Sequence, residues 1–145
     1  MTESAAKPAP PPRSLPSLSP LNRAFWTGGE AGQLLIQRCD ACSTYVHPPR
    51  VRCPRCHGAA LGYSPVSGRG RVATFTVNRQ QWVKGLSEPF VFAVVELEEQ
   101  AELYVFSNIA GCPVDDVDVG QAVEVFFEQN EEVFLPMFRP VEERA

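Results

Sequence analysis

The sequence predicts a mainly β protein built from a short N-terminal helix, a small cysteine-rich ribbon and a five-stranded barrel of the OB type. Three observations predict it. From residue 71 the pattern changes to strands punctuated by Gly and Pro turns, and no long helical period appears beyond residue 32. Four of the five cysteines fall in one 18-residue stretch as two C-x-x-C pairs. Six of the fourteen prolines crowd into the first twenty residues, where no core can form.

In chain order, residues 1–20 read as a proline-rich disordered tail, because Pro8, Pro10, Pro11, Pro12, Pro16 and Pro20 favour extended, solvated backbone. Residues 21–32 read as a short helix stopped by glycines, with Leu21, Phe25 and Trp26 on one face. Two large aromatics on so short an element want a surface to cover, either the protein's own core or a partner. Leu34-Leu35-Ile36 reads as a buried strand leading to the first cysteine. The helix and ribbon together occupy residues 21–66, and residues 67–145 form the barrel domain.

Within the barrel, Gly68-Arg69-Gly70 reads as a turn opening a strand whose Ala73, Phe75 and Val77 alternate with Thr74, Thr76 and Asn78. Phe90 to Leu97 is apolar on both parities, which suits a strand lying between the barrel interior and another surface. Leu103 to Ile109, Ala122 to Glu128 and Val133 to Phe138 complete the five. Short strands so closely spaced suggest a small curved barrel.

Cys39-Asp40-Ala41-Cys42 and Cys53-Pro54-Arg55-Cys56 are separated by ten residues. Each C-x-x-C turn presents two thiolates on one side of a tight knuckle, and two knuckles close a tetrahedral zinc site. A pair of redox disulfides or an iron–sulfur centre are the competing readings, but reducing compartments rarely use paired redox motifs in this way. Four cysteines leave no open coordination position, so the zinc is structural. His47 and His57 lie beside these turns and are not needed as ligands. Cys112 sits alone after a strand and reads as a small buried residue.

The charge is unevenly distributed. Residues 38–84 carry eight basic side chains against Asp40 alone, whereas residues 85–145 carry fourteen acids against Arg139 and Arg144. Arg50, Arg52 and Arg55 concentrate on the ribbon, and an extended alternation would put Arg50 and Arg52 on one side. Guanidinium forks suit phosphate, so a phosphorylated cofactor is a chemically reasonable partner there. The acidic second half argues against a long electrostatic track for nucleic acid, and a nucleic-acid-binding zinc-ribbon/OB protein is the alternative reading. Both histidines fall in or beside the ribbon, no glycine-rich phosphate loop occurs, and no base–nucleophile set is available elsewhere. The longest apolar run, Phe90 to Val95, is far too short to span a bilayer. No secretory leader is evident, so a soluble cytoplasmic protein with reduced thiols is expected.

The order of an aromatic helix, Cys-x-x-Cys, Tyr45-Val46-His47-Pro48-Pro49-Arg50, Cys-Pro-Arg-Cys and a barrel running past Val119-Gly120-Gln121-Ala122-Val123 resembles the acyl-CoA-associated zinc-ribbon/OB-fold proteins over about residues 21–140. The resemblance implies an accessory subunit that stabilises a thiolase-like or lipid-transfer-type enzyme, in some cases an aldolase shortening steroid side chains, as a hetero-oligomer. It implies zinc on Cys39, Cys42, Cys53 and Cys56, and it carries over no catalytic residue. On chemistry alone, Arg50, Arg52 and Arg55 are candidates for the phosphates of acyl-CoA, and Phe25 and Trp26 for the partner interface.

Overall fold

The computed structural model describes residues 13–141 apart from positions 83 and 86. The first twelve residues of the expected proline-rich tail therefore lie outside the described residues. From Arg13 to Ser19 the chain has no regular structure, yet it is tied down at Arg13, whose guanidinium donates to both carboxylate oxygens of Glu128 at 2.8 and 3.3 Å.

Ser19 and Asn22 start the first helix by a reciprocal pair of bonds. The Ser19 N–H donates to Asn22 Oδ1 at 2.7 Å and the Asn22 N–H to Ser19 Oγ at 3.2 Å. Helix α1 spans Arg23–Thr27 and continues as a 3-10 turn over Gly28–Ala31. The α-helix is thus shorter than expected, but glycines do stop it: Gly28 caps α1, and Gly32 ends the 3-10 turn in left-handed backbone at φ 71°. Gly29 between them serves a close approach. A Cβ on Gly29 would stand 2.5 Å from Phe127 Cδ1 and 2.6 Å from Phe134 Cβ, so only glycine lets this turn lie against the barrel wall.

Three antiparallel strands follow: β1 (Leu34–Cys39), β2 (Tyr45–Val46) and β3 (Leu61–Val66), in the order β2-β1-β3. β1 delivers Cys39 to the first knuckle, as its apolar start suggested. β3 pairs with β1 along its whole length, from Leu34 opposite Val66 to Cys39 opposite Leu61.

The barrel comprises β4 (Arg69–Asn78), β5 (Phe90–Leu97), β6 (Tyr104–Ile109), β7 (Ala122–Asn130) and β8 (Val133–Pro140). They close in the order β4-β5-β6-β8-β7, with β6 and β8 parallel and the other pairs antiparallel. Closure happens at the start of β4, where Gly70 is opposite Leu97 on one side and Val123 on the other. Arg69-Gly70 is therefore strand, not turn. A bulge between Val72 and Thr74 then shifts the register by one residue. It moves the inward face from Gly70 and Val72 to Phe75 and Val77, so the expected alternation holds only beyond the bulge.

Val91, Ala93, Val95 and Leu97 of β5 fill the interior with Val72, Val105, Val123 and Phe138, all at most 1% exposed. Truncating a side chain as enclosed as Phe138 to Ala costs about 3–5 kcal/mol. Phe25, Leu34 and Ile36 extend the same core from the barrel into the ribbon.

Candidate functional site

The two cysteine turns are built alike. In the first, the Ser43 N–H donates to the Cys39 carbonyl at 2.9 Å and the Cys39 N–H to the Thr44 carbonyl at 2.9 Å. In the second, the His57 N–H donates to the Cys53 carbonyl and the Cys53 N–H to the Gly58 carbonyl, both at 2.9 Å. Ser43 and His57, each following the second cysteine of its pair, hold left-handed backbone at φ 62° and 65°. That reversal folds each C-x-x-C so both sulfurs face the same point. The Arg55 N–H also points at Cys53 Sγ from 3.4 Å, the kind of donor that supports a thiolate.

All four sulfurs lie within 4.8 Å of one another, with Cys39–Cys56 and Cys42–Cys53 at 3.6 Å. A zinc ion with bonds of about 2.3 Å puts its four sulfurs about 3.8 Å apart, so the cage fits the ion. Cys39 and Cys53 are buried, Cys42 half-buried and Cys56 exposed, which gives a site sealed on one side and open at Cys56. The Thr44 hydroxyl, 3.2 Å from Cys42 Sγ, and the Thr44 backbone N–H hold the Cys42 thiol down to about 6. Four protein sulfurs satisfy a structural zinc.

Neither histidine joins the cage. His47 packs its ring on Phe25, with centroids 4.6 Å apart, and burial holds its pKa down to about 4. His57 is exposed. Cys112 is half-buried, and burial together with Asp116 pushes its thiol up, the opposite of an activated nucleophile. Among the described residues no base–nucleophile pair forms.

Arg50, Arg52 and Arg55 are all exposed, on the segment that leads into and through the second cysteine turn. The expected strand alternation of Arg50 and Arg52 does not occur, because residues 47–60 contain no strand and follow the two knuckles instead. Gln37, 4% exposed, fixes Arg50 by its backbone: the Arg50 N–H donates to Oε1 at 2.7 Å and Nε2 donates to the Arg50 carbonyl at 2.8 Å. Arg52 is held by a bond from its guanidinium to the His57 carbonyl at 3.2 Å.

The two aromatics of α1 part company. Phe25 is 4% exposed and belongs to the core, whereas Trp26 is half-buried at its rim, edge-on to Phe25 at 4.7 Å. A further aromatic surface lies beside it. Phe92 and Phe106 stand outside the barrel on β5 and β6, 45% and 64% exposed, and stack with centroids 6.1 Å apart. The signal for them in the sequence was the double parity of Phe90 to Leu97, which called for an outward apolar surface. It could not name the partner strand.

A ribbon caged by four cysteines on a closed five-stranded barrel is matched by two family models. The one described as the ChsH2 rubredoxin-like zinc ribbon domain covers residues 26–62, and the ChsH2 C-terminal OB-fold domain covers residues 63–128. The chain belongs to the ChsH2-type DUF35 family. Its fold superposes on a solved structure described as an Ltp2-ChsH2(DUF35) aldolase with a TM-score of 0.76, at 32% identity over 87% of this chain and 98% of that one. It is 34% identical over 133 residues to a probable enoyl-CoA hydratase alpha subunit of Thermomonospora curvata, covering 89% of this chain but 41% of that protein's length. It is 31% identical over 85 residues to the benzoylsuccinyl-CoA thiolase subunit BbsA of Thauera aromatica, covering 59% of this chain and 57% of BbsA. No helix among the described residues is long and apolar enough to cross a membrane.

Proposed function

We propose that this DUF35 chain is the accessory subunit of a thiolase-like acyl-CoA enzyme, an aldolase or thiolase acting in steroid side-chain or fatty acyl degradation, which it stabilises and whose acyl-CoA it helps to position. The supporting observation is a pairing of likeness and lack. The chain matches nearly all of the DUF35 chain of an aldolase, yet among its described residues His47 is packed on Phe25 and Cys112 has a raised thiol, so neither serves as base or nucleophile. Chemistry in such an assembly happens in the partner.

Zinc supplies rigidity. Held by Cys39, Cys42, Cys53 and Cys56, it fixes the loop that displays Arg50, Arg52 and Arg55. CoA carries phosphates at its adenosine end and a neutral pantetheine arm, so exposed guanidinium groups meet the phosphates while the thioester reaches the partner's pocket. Phe25 sets the seat of α1 from the core, and Trp26 beside it is the aromatic anchor for the partner. Four reduced thiols in a metal cage fit a cytoplasmic location.

Purification of the tagged chain from its native cells identifies the partner, which is then expressed with and without it. The reading expects a partner that is insoluble or inactive alone and turns over acyl-CoA when the two are combined. A partner equally soluble and active alone overturns it, as does capture of nucleic acid in place of an enzyme.

A further inference from the structure

The barrel closes with one gap. Between β6 and β8 the ladder is a single pair, Ile109 with Phe138, whereas β5 and β6 pair from Val91–Ile109 to Glu96–Tyr104. At the closed end the Ala110 N–H donates to the Phe138 carbonyl at 2.8 Å. Further along, the buried Ser107 hydroxyl reaches the Pro136 carbonyl at 2.6 Å, a side chain standing in for a ladder bond.

Register tells which backbone groups are left over. The Leu97 N–H donates to the Leu103 carbonyl at 2.9 Å, so Leu103, Val105, Ser107 and Ile109 bond to β5. Tyr104 and Phe106 then aim their N–H and C=O groups away from β5, to the side where Ala110 meets β8. Among the described residues neither has a backbone partner there. Along Tyr104–Phe106, β6 is therefore an edge.

Proteins protect such edges with charge, proline or a bulge, and β6 carries none of these. Its outward side chains here are the exposed Tyr104 and Phe106, with Phe92 stacked beside the latter. A groove of about 170 Å³ adjoins it, walled by Trp26, Phe106, Leu135 and Pro136 among others. An apolar cavity of about 150 Å³ holds a benzene ring, so the groove has room for one large side chain.

The unpaired backbone selects the occupant. A flat apolar surface would cover the rings and bury the N–H and C=O groups without partners, whereas an extended strand satisfies both. Tyr104 and Phe106 are uncharged, so the matching strand is apolar at alternate positions. Trp26, the anchor assigned to the partner enzyme, walls the same groove, so the edge continues that contact.

We infer that β6 is a strand-addition edge: the partner enzyme lays an extended, alternately apolar segment along Tyr104–Phe106 and sets one side chain in the groove beside Trp26. This rests on the accessory-subunit reading and adds to it the conformation and chemistry of the docking segment.

Hydrogen exchange at single amides tests it, on the full chain alone and in complex with the enzyme it captures from its native cells. The Tyr104 and Phe106 amides are expected to exchange freely in the chain alone and about tenfold slower in the complex. The Val105 and Ser107 amides, bonded to β5, are the control and stay protected in both. Phe106→Pro separates pairing from mere covering, because it deletes the edge N–H and spares the ladder to β5. It is expected to weaken the complex about tenfold more than Phe106→Ala, which removes the ring and keeps the N–H. Should the proline variant not fold, the wild-type exchange decides alone. Protection already present in the chain alone assigns the edge to this chain or a second copy and overturns the inference. So does a proline variant no weaker than the alanine one while its Val105 amide stays protected. Capture of an enzyme without slower exchange at Phe106 sinks this inference and leaves the accessory-subunit reading standing. Capture of no enzyme by the wild-type chain overturns both.

Discussion

The side-chain amide of Gln100 pairs with the backbone of Tyr45 as another strand would. The Tyr45 N–H donates to Oε1 at 2.9 Å, and Nε2 donates to the Tyr45 carbonyl at 3.0 Å. Gln100 belongs to the turn between β5 and β6, and Tyr45 to β2, the edge strand of the ribbon. One side chain thus satisfies a sheet edge and ties the ribbon to the barrel. Gln37 grips Arg50 by the same two bonds from inside the ribbon.

Replacing Gln100 by Ala leaves a half-buried donor and acceptor unpaired, which costs about 1–2 kcal/mol. The loss is local. Hydrogen exchange at the Tyr45 amide should accelerate by about tenfold while the β5–β6 amides stay protected. Equal acceleration in both places would contradict a clamp acting between two modules.

Gly70 is paired on both sides where the barrel closes, and a Cβ there would lie 2.3 Å from the Glu96 carbonyl oxygen. That neighbour is backbone and cannot swing aside. Gly70→Ala should therefore destabilise the chain by about 2–3 kcal/mol in urea unfolding, through strain rather than lost contacts. An unchanged midpoint would mean that β4 closes elsewhere.

The elements read correctly from the sequence are those whose signal is local. Antiparallel barrel strands keep one face inward, so β7 and the later part of β4 announced themselves by alternation and β5 by its unbroken apolar run, and cysteine spacing alone placed the cage. β3 was missed because Leu61-Gly62-Tyr63-Ser64-Pro65-Val66 carries both a glycine and a proline, which count against a strand. It is an edge strand, where proline is tolerated, and that position is a tertiary fact. Arg50 and Arg52 failed to alternate because the two knuckles, not a ladder, set the backbone between them. The double parity of β5 marked Phe92's outward face, but its pairing with Phe106 was not legible, because the two meet only through β5–β6 register. A bulge in β4 likewise leaves no mark on residue type.

Removing the metal should separate the modules. We expect one zinc per chain after purification without added metal. Substitution of either buried ligand, Cys39→Ser or Cys53→Ser, should abolish it. The ribbon, with little apolar area of its own, should lose exchange protection at β1 and β2 while the barrel keeps its cooperative unfolding. Substoichiometric zinc with intact thiols, or iron in its place, counts against the cage as described.

His47 makes stability fall with acid. Its ordinary pKa of 6.5 is held down to about 4 by burial against Phe25, so the unfolded chain takes up a proton that the folded chain refuses. The contribution is complete above pH 6.5 and is lost as pH falls towards 4, with a slope approaching one proton. The total is at most about 3 kcal/mol, reduced by the ring's partial exposure. His47→Gln should flatten that part of the curve. Acid release of zinc affects both chains, so the difference between their urea midpoints against pH isolates the histidine. Parallel curves would mean that the ring is solvated.

The last prediction divides two roles within the proposed assembly. Arg50 and Arg52 display their charges on the segment leading into the second cysteine turn, whereas Trp26 sits on α1 at the rim of the core, so phosphate binding and partner docking are separable. Changing both arginines to Ala removes contacts worth about 1 kcal/mol each at an exposed site. The complex's KM for acyl-CoA should rise about five- to thirtyfold with kcat nearly unchanged, and the effect should shrink as salt is raised. Trp26→Ala should leave KM alone and weaken assembly, by about 2 kcal/mol if the ring is a central anchor, read as a faster dissociation rate of the complex. Loss of Arg50 from the ribbon does not disturb its fold, since Gln37 holds that residue by its backbone, so zinc content serves as the control. A KM unmoved by the double substitution assigns CoA to the partner alone. A complex indifferent to Trp26→Ala moves the interface elsewhere.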